Sequence, residues 1–190
     1  MQKNQLAIFD LDGTLYDTKE VNYRSYLEAL KIIGYDVKID LDYYSKRCNS
    51  IHYRLFLPKL VEEITDEEMD KVHKIKKSLY ANNLRYAKRN NHLFNIIDSI
   101  ANSYYIALVT NANQKNASEI LEKHSDKGKF DLIISHENII NPKPSPNSFE
   151  IAMNHFKMSP KQTIIFEDSD VGIQAAQKSG AMFYRVFGFN

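Results

Sequence analysis

Two carboxylates stand two residues apart in Asp10-Leu11-Asp12-Gly13-Thr14, directly after the apolar run 6–9 (LAIF). At a strand's period of two, side chains two apart project to the same side, so Asp10 and Asp12 face one site. Like charges held that close are costly unless a shared proton or a cation neutralises them. Gly13 permits a sharp turn and Thr14 adds a hydroxyl. Three further groups of residues could complete such a site. Thr110-Asn111 follow the run 105–109; a strand-end hydroxyl with nearby N–H groups can hold a phosphate oxygen, although Thr110 could equally cap the helix that follows. Lys143 lies in Asn141-Pro142-Lys143-Pro144-Ser145-Pro146, where three prolines stiffen the loop and fix its direction. A rigidly held ammonium suits a phosphate beside carboxylates; a solvated turn lysine is the alternative. Glu167-Asp168-Ser169-Asp170 form a second acidic cluster after the run 163–166. Such hard oxygen ligands suit Mg2+, and Asp168 or Ser169 could also cap the next helix. The chemistry these types support together is phosphoryl transfer beside a divalent cation.

The elements that must position these residues are legible as alternation. The runs 6–9, 105–109, 132–134 and 163–166, with 182–186 as a weaker fifth, are near-continuously apolar. Separated by helix-like stretches at 91–101, 113–124, 146–156 and 169–179, they indicate a parallel sheet covered on both faces. In such a sheet ligands lie beyond the carboxyl ends of the strands, which is where all four groups fall. One gap breaks the alternation. Between about 19 and 89 there is no convincing strand, and helical patterns run over 20–33, 40–48, 51–64 and from Thr65 onward. Thr65 with Glu68 three residues later forms a capping-box signature. An all-helical insertion is therefore expected after the first strand, dividing the chain into an α/β core of 1–17 and 90–190 and a helical segment of 18–89.

The bulk numbers exclude some classes of partner. Lys+Arg 25 against Asp+Glu 24 gives a formal charge of +1, which offers no argument for nucleic acid or an anionic membrane surface. No apolar run approaches the roughly 20 residues of a membrane helix. Cys48 is the single cysteine, so no intramolecular disulfide can form. That count, and an N-terminus that leads straight into a strand, agree with a cytoplasmic setting.

In these motifs the chain resembles the phosphatase branch of the haloacid dehalogenase superfamily. Asp10–Leu15, Thr110-Asn111, Lys143 and Glu167-Asp168 stand in the order of that family's four motifs. The helical insertion is similar to its α-helical cap, placed between the first and second motifs over a Rossmann-like core. The stretch FEDSDVGIQAAQKSG is particularly similar to the subgroup of beta-phosphoglucomutase and related sugar-phosphate phosphatases. The resemblance implies that Asp10 is a nucleophile forming an aspartyl-phosphate, and that Asp12 is general acid and then base. It implies Mg2+ bound by Asp10, the Asp12 carbonyl, Asp168 and Glu167, directly or through water. It also implies phosphate held by Thr110, Asn111 and Lys143. Asp12 favours phosphate chemistry over dehalogenation, because dehalogenating members lack an acid at that position. Asn22 stands where the mutase has a histidine, which favours hydrolysis over phosphate transfer within a sugar. Substrate selection is expected of the helical cap, with Tyr23, Arg47, His52, Arg54 and Lys59 as candidates.

The expectation is a Mg2+-dependent phosphomonoester hydrolase for a small phosphorylated metabolite, monomeric by default. Alternatives are a beta-phosphoglucomutase-like phosphotransferase and a non-catalytic phospholigand-binding relative. A receiver-like phospho-acceptor domain is disfavoured by the insertion and the Gly13-Thr14 turn.

Overall fold

A computed structural model of the chain describes residues 3–49 and 51–189. The chain divides into two compact units, Met1–Asp17 with Lys88–Asn190, and Thr18–Ala87.

The first unit is built on five parallel strands, β1 (Gln5–Phe9), β4 (Tyr104–Val109), β5 (Leu132–Ile134), β6 (Thr163–Glu167) and β7 (Met182–Arg185), in the order β5-β4-β1-β6-β7. The helices α5 (Asn91–Ile100), α6 (Gln114–Lys123), α7 (Asn147–Phe156) and α8 (Asp170–Ser179) alternate with them. The fold is the expected α/β parallel sheet with flanking helices. Central β1 is buried on both faces, and its partners are in register: Phe9 lies level with Leu108 on one side and Phe166 on the other. The Phe9 and Phe166 rings stack, 4.6 Å between centroids. Leu6, Ile8, Val109, Ile165, Phe149 and Ala175 form part of the core between sheet and helices. The order reverses about β1, with β4 and β5 added on one side and β6 and β7 on the other. Asp10 therefore opens onto the crevice at a topological switch point.

A two-stranded ribbon is the element the sequence pattern did not reveal. β2 (Tyr16–Asp17) pairs antiparallel with β3 (Lys88–Arg89), so Lys88 and Arg89 belong to the sheet-bearing unit rather than to the helical segment expected over 18–89. The ribbon is fastened by a partly buried ion pair. Arg89 binds Asp126 through Nε at 2.7 Å and Nη2 at 2.8 Å, and Tyr16 Oη donates to the same carboxylate at 2.6 Å.

The second unit contains α1 (Lys19–Ile32), α2 (Leu41–Arg47), α3 (Tyr53–Leu60) and α4 (Asp66–Asn83). Tyr26, Leu30, Tyr44, Phe56, Leu57 and Val72 fill its centre. Gly34, at φ 105, turns the chain after α1. The helix expected over 51–64 is shorter, because His52 is its N-cap and the backbone turns extended at Val61. Thr65 caps α4 as expected: Glu68 N–H donates to Thr65 Oγ1 at 3.2 Å, and Glu68 Oε2 accepts from Thr65 N–H at 2.9 Å. Thr65→Ala should lower stability by about 1 kcal/mol, a fall of roughly 2–4 °C in a chain of this size, whereas Thr65→Ser should melt like the parent in the same thermal scan. No helix among the described residues is long and apolar enough to cross a membrane.

Candidate active site

The site grows from the carboxyl ends of three adjacent strands. Asp10 follows β1 and is tied down by its own backbone, its N–H donating to Phe166 O on β6 at 3.0 Å. The chain then turns back on itself. Leu15 and Tyr16 N–H both donate to Leu11 O, and Gly13 N–H donates to Tyr16 O at 2.8 Å. Gly13 has φ 92, and a Cβ there would lie 2.1 Å from Asp168 Oδ2. Glycine is thus needed both for the turn and for the approach of the second acidic cluster. Thr14, fully buried, donates from Oγ1 to Asp168 Oδ1 at 3.1 Å, so the first motif itself holds part of the fourth.

Lys143 is the hub. It is 7% exposed. Its ammonium donates to Asp10 Oδ1 at 2.6 Å, Glu167 Oε2 at 2.7 Å and Val109 O at 3.1 Å. A lysine ammonium has three protons, so each has an acceptor. Its loop is anchored to the second motif, because Lys143 N–H donates to Asn111 Oδ1 at 3.3 Å. Lys143 is a buried, fixed ammonium rather than a solvated turn lysine, and the Asn111 side chain helps to place it.

The alternatives left open for the other residues resolve by hydrogen bonding. Asn113, not Thr110, caps α6, its Oδ1 accepting from Asn116 N–H at 2.9 Å. Thr110 is buried, with Oγ1 accepting from Ala112 N–H at 3.0 Å, which leaves its hydroxyl proton to donate elsewhere. Ser169 caps α8, accepting from Gly172 N–H at 3.1 Å, so Asp168 is not the cap. Glu167 is the last residue of β6 rather than the first of a loop. Asp12 lies in the turn, half-buried, outside the carboxylate cluster.

Asp10, Glu167 and Asp168 each present one carboxylate oxygen, all within 4.8 Å of one another. Three carboxylates thus face the single ammonium of Lys143. Burial, and then the neighbouring Glu167, push the Asp10 carboxyl well above the usual carboxylate range, against the pull of Lys143. Asp168 is pushed up to about 6 by burial and then by Glu167. Burial alone would lower Lys143, but Asp10 and Glu167 outweigh it and hold the ammonium above its ordinary range. A buried, all-oxygen donor set with surplus negative charge fits a hard divalent cation such as Mg2+.

Of the candidates in the helical unit, Arg54 is bound by Asp66 and Asp70, each at 2.7 Å, and Tyr23 Oη donates to Ile39 O at 2.8 Å. These partners lie within the same unit. Thr14, whose hydroxyl the first motif offered, and Ser169, read only as a possible helix cap, are the site neighbours that bond the carboxylates.

A parallel sheet thus carries a buried lysine among three carboxylates at its central strand ends. The chain belongs to the haloacid dehalogenase-like hydrolase family, which matches it over residues 7–186, and it is a phosphatase of that family. It is similar to the phosphorylated carbohydrates phosphatase of Thermotoga maritima, 28% identical over 190 residues, covering 97% of this chain and 84% of that protein. It is also similar to the fructose-1-phosphate phosphatase YqaB of Escherichia coli, 24% identical over 175 residues and covering 91% of each. Among solved structures, CbbY of Rhodobacter sphaeroides in complex with phosphate has the same fold, with a TM-score of 0.83 at 21% identity over 98% of this chain and 87% of that one.

Proposed function

We propose that the chain is a Mg2+-dependent phosphomonoester hydrolase of a small phosphorylated metabolite, with sugar phosphates the first class to test. The observation that carries the reading is the contact of Lys143 Nζ with both Asp10, at 2.6 Å, and Glu167, at 2.7 Å. It leaves Asp10 fixed at the crevice, with Oδ2 not taken by the lysine.

Asp10 attacks phosphorus, forming a carboxylate oxygen–phosphorus bond as the ester oxygen–phosphorus bond breaks. Asp12, two residues on, gives its proton to the departing alkoxide. In the second step Asp12 takes a proton from water, the water oxygen bonds phosphorus, and the Asp10–phosphorus bond breaks to return both aspartates to their starting state. Thr110 Oγ1 and the Asn111 N–H hold phosphoryl oxygens. Asp10, Asp168 and the Asp12 carbonyl would hold Mg2+, with Glu167 beside them, and the bound cation supplies charge neutralisation of the phosphoryl group. The relatives named for phosphorylated carbohydrates and fructose 1-phosphate support sugar phosphates as the substrate class. Asn22, whose amide contacts Thr18 Oγ1 at 3.4 Å, offers no titratable group, which supports hydrolysis over mutase chemistry.

The test is hydrolysis of p-nitrophenyl phosphate, followed by a panel of hexose and pentose phosphates and phosphoglycolate. Release of phosphate with Mg2+, abolished by EDTA and restored by added Mg2+, is expected. Turnover indifferent to EDTA would overturn the metal-dependent reading, and no turnover of any ester would leave the phospholigand-binding alternative in its place.

A further inference from the structure

The two oxygens of Glu167 have different partners. Oε2 accepts from Lys143 at 2.7 Å. Oε1 accepts twice from Ser169, from the backbone N–H at 3.1 Å and from the hydroxyl at 2.6 Å. The hydroxyl contact has the length of a charge-assisted bond to a carboxylate. The same hydroxyl accepts from Gly172 N–H at 3.1 Å, so one side chain both caps α8 and grips Glu167. Glu167 lies tight against the first turn of α8. A Cβ on Gly172 would fall 2.0 Å from Glu167 Cδ and 2.4 Å from Cγ. The start of a helix also favours a negative charge there. Sterics on one side and the serine pair on the other therefore leave the carboxylate one position.

That position matters to the lysine. Two of the three acceptors that orient the Lys143 ammonium are Glu167 and the main-chain Val109 O, and the third is Asp10. If Glu167 swings away, the ammonium loses one of its two carboxylate acceptors, the other being Asp10.

We propose that Ser169 is a positioning residue: through its paired bonds to Glu167 it fixes the Lys143 ammonium against Asp10. The inference rests on the phosphatase reading above. Its rival is that Ser169 serves α8 only as an N-cap. Three substitutions separate the two roles. Ser169→Thr keeps cap and hydroxyl donor. Ser169→Gly keeps most of the cap, since glycine at this position costs only a few tenths of a kcal/mol, but lacks the donor. Ser169→Ala lacks both.

A pure cap predicts that stability falls for alanine alone and that kcat stays near the parent value in all three. Positioning predicts that glycine and alanine both lose about 10- to 100-fold in kcat, the scale of a misplaced reacting group, with KM changed less than about twofold, while threonine retains activity. A second readout needs neither substrate nor metal. The Lys143 ammonium should give a sharp proton–nitrogen NMR signal in the metal-free protein, assigned by its loss in Lys143→Arg. It should stay sharp in Ser169→Thr and broaden in Ser169→Gly. Parental kcat in Ser169→Gly with an unchanged ammonium signal overturns the proposal. If the parent turns over no ester at all, the phosphatase reading fails separately, and the ammonium signal alone decides whether Ser169 holds the lysine.

Discussion

Asp10→Asn is expected to abolish turnover while raising the melting temperature of the metal-free protein. The first effect follows from the loss of the attacking oxygen. Removing a nucleophile that acts in concert with its partners costs on the order of 10^3- to 10^6-fold in kcat. Asparagine is nearly the same shape, so the loss will not come from unfolding. The second effect follows from charge. Asp10, Glu167 and Asp168 crowd together with one lysine among them. Asparagine removes one negative charge from that excess, and its Oδ1 can still accept from Lys143. Because burial and then Glu167 raise the Asp10 carboxyl above its ordinary 3.8, the folded chain holds this proton more tightly than the unfolded chain does. The wild-type penalty is therefore absent below about pH 4 and grows as pH rises through the folded-state value. The stability gained by Asp10→Asn should follow the same course, near zero at pH 4 and largest at neutral pH, in thermal melts with EDTA. Residual turnover within tenfold of the parent would sink the nucleophile assignment.

The difference between what the sequence disclosed and what it hid lies in the range of the interactions. β1, β4 and β6 were legible because a central parallel strand is buried on both faces and reads as an unbroken apolar run. β7 was fainter for the opposite reason, since at the sheet edge Met182 and Tyr184 are exposed. β2 and β3 left no trace, because each is two residues long and their pairing spans the whole helical unit. No local period could announce it. The site divides in the same way. Asp10, Thr110, Lys143 and Asp168 were visible as residue types at strand ends, a local property. That Lys143 would be buried and bonded to three acceptors depended on the sheet order β4-β1-β6, which brings Val109, Asp10 and Glu167 side by side. Ser169 was legible as a cap, because capping is local, and its bond to Glu167 was not separable from that role until the carboxylate's other oxygen was seen to hold Lys143. Asn111 illustrates the same limit: its side chain secures the lysine loop from 32 residues away in sequence.

Lys143→Met should be the most destabilising single change at the site, and Mg2+ should reverse much of it. Methionine keeps an unbranched, flexible side chain out to the ε position, so the cavity term is small. What disappears is the one ammonium among Asp10, Glu167 and Asp168. Breaking a buried ion pair by removing one partner typically costs about 3–5 kcal/mol, because the remaining charges stay buried without compensation. In a chain of this size that corresponds to a fall in melting temperature on the order of 10 °C. The metal-free protein can relieve the strain only by taking up protons, so the deficit should be larger at pH 8 than at pH 5. A divalent cation bound by the same oxygens supplies the missing positive charge, and binding to the folded state alone stabilises it by mass action. Millimolar Mg2+ should therefore raise the melting temperature of Lys143→Met by more than it raises that of the parent. An equal shift in both, or none, would mean that the three carboxylates do not form the cation site and that Lys143 balances charge for some other purpose. Turnover would remain low even with Mg2+ present, because the cation restores the charge of the cluster but not the contact that holds Asp10 Oδ1 at 2.6 Å.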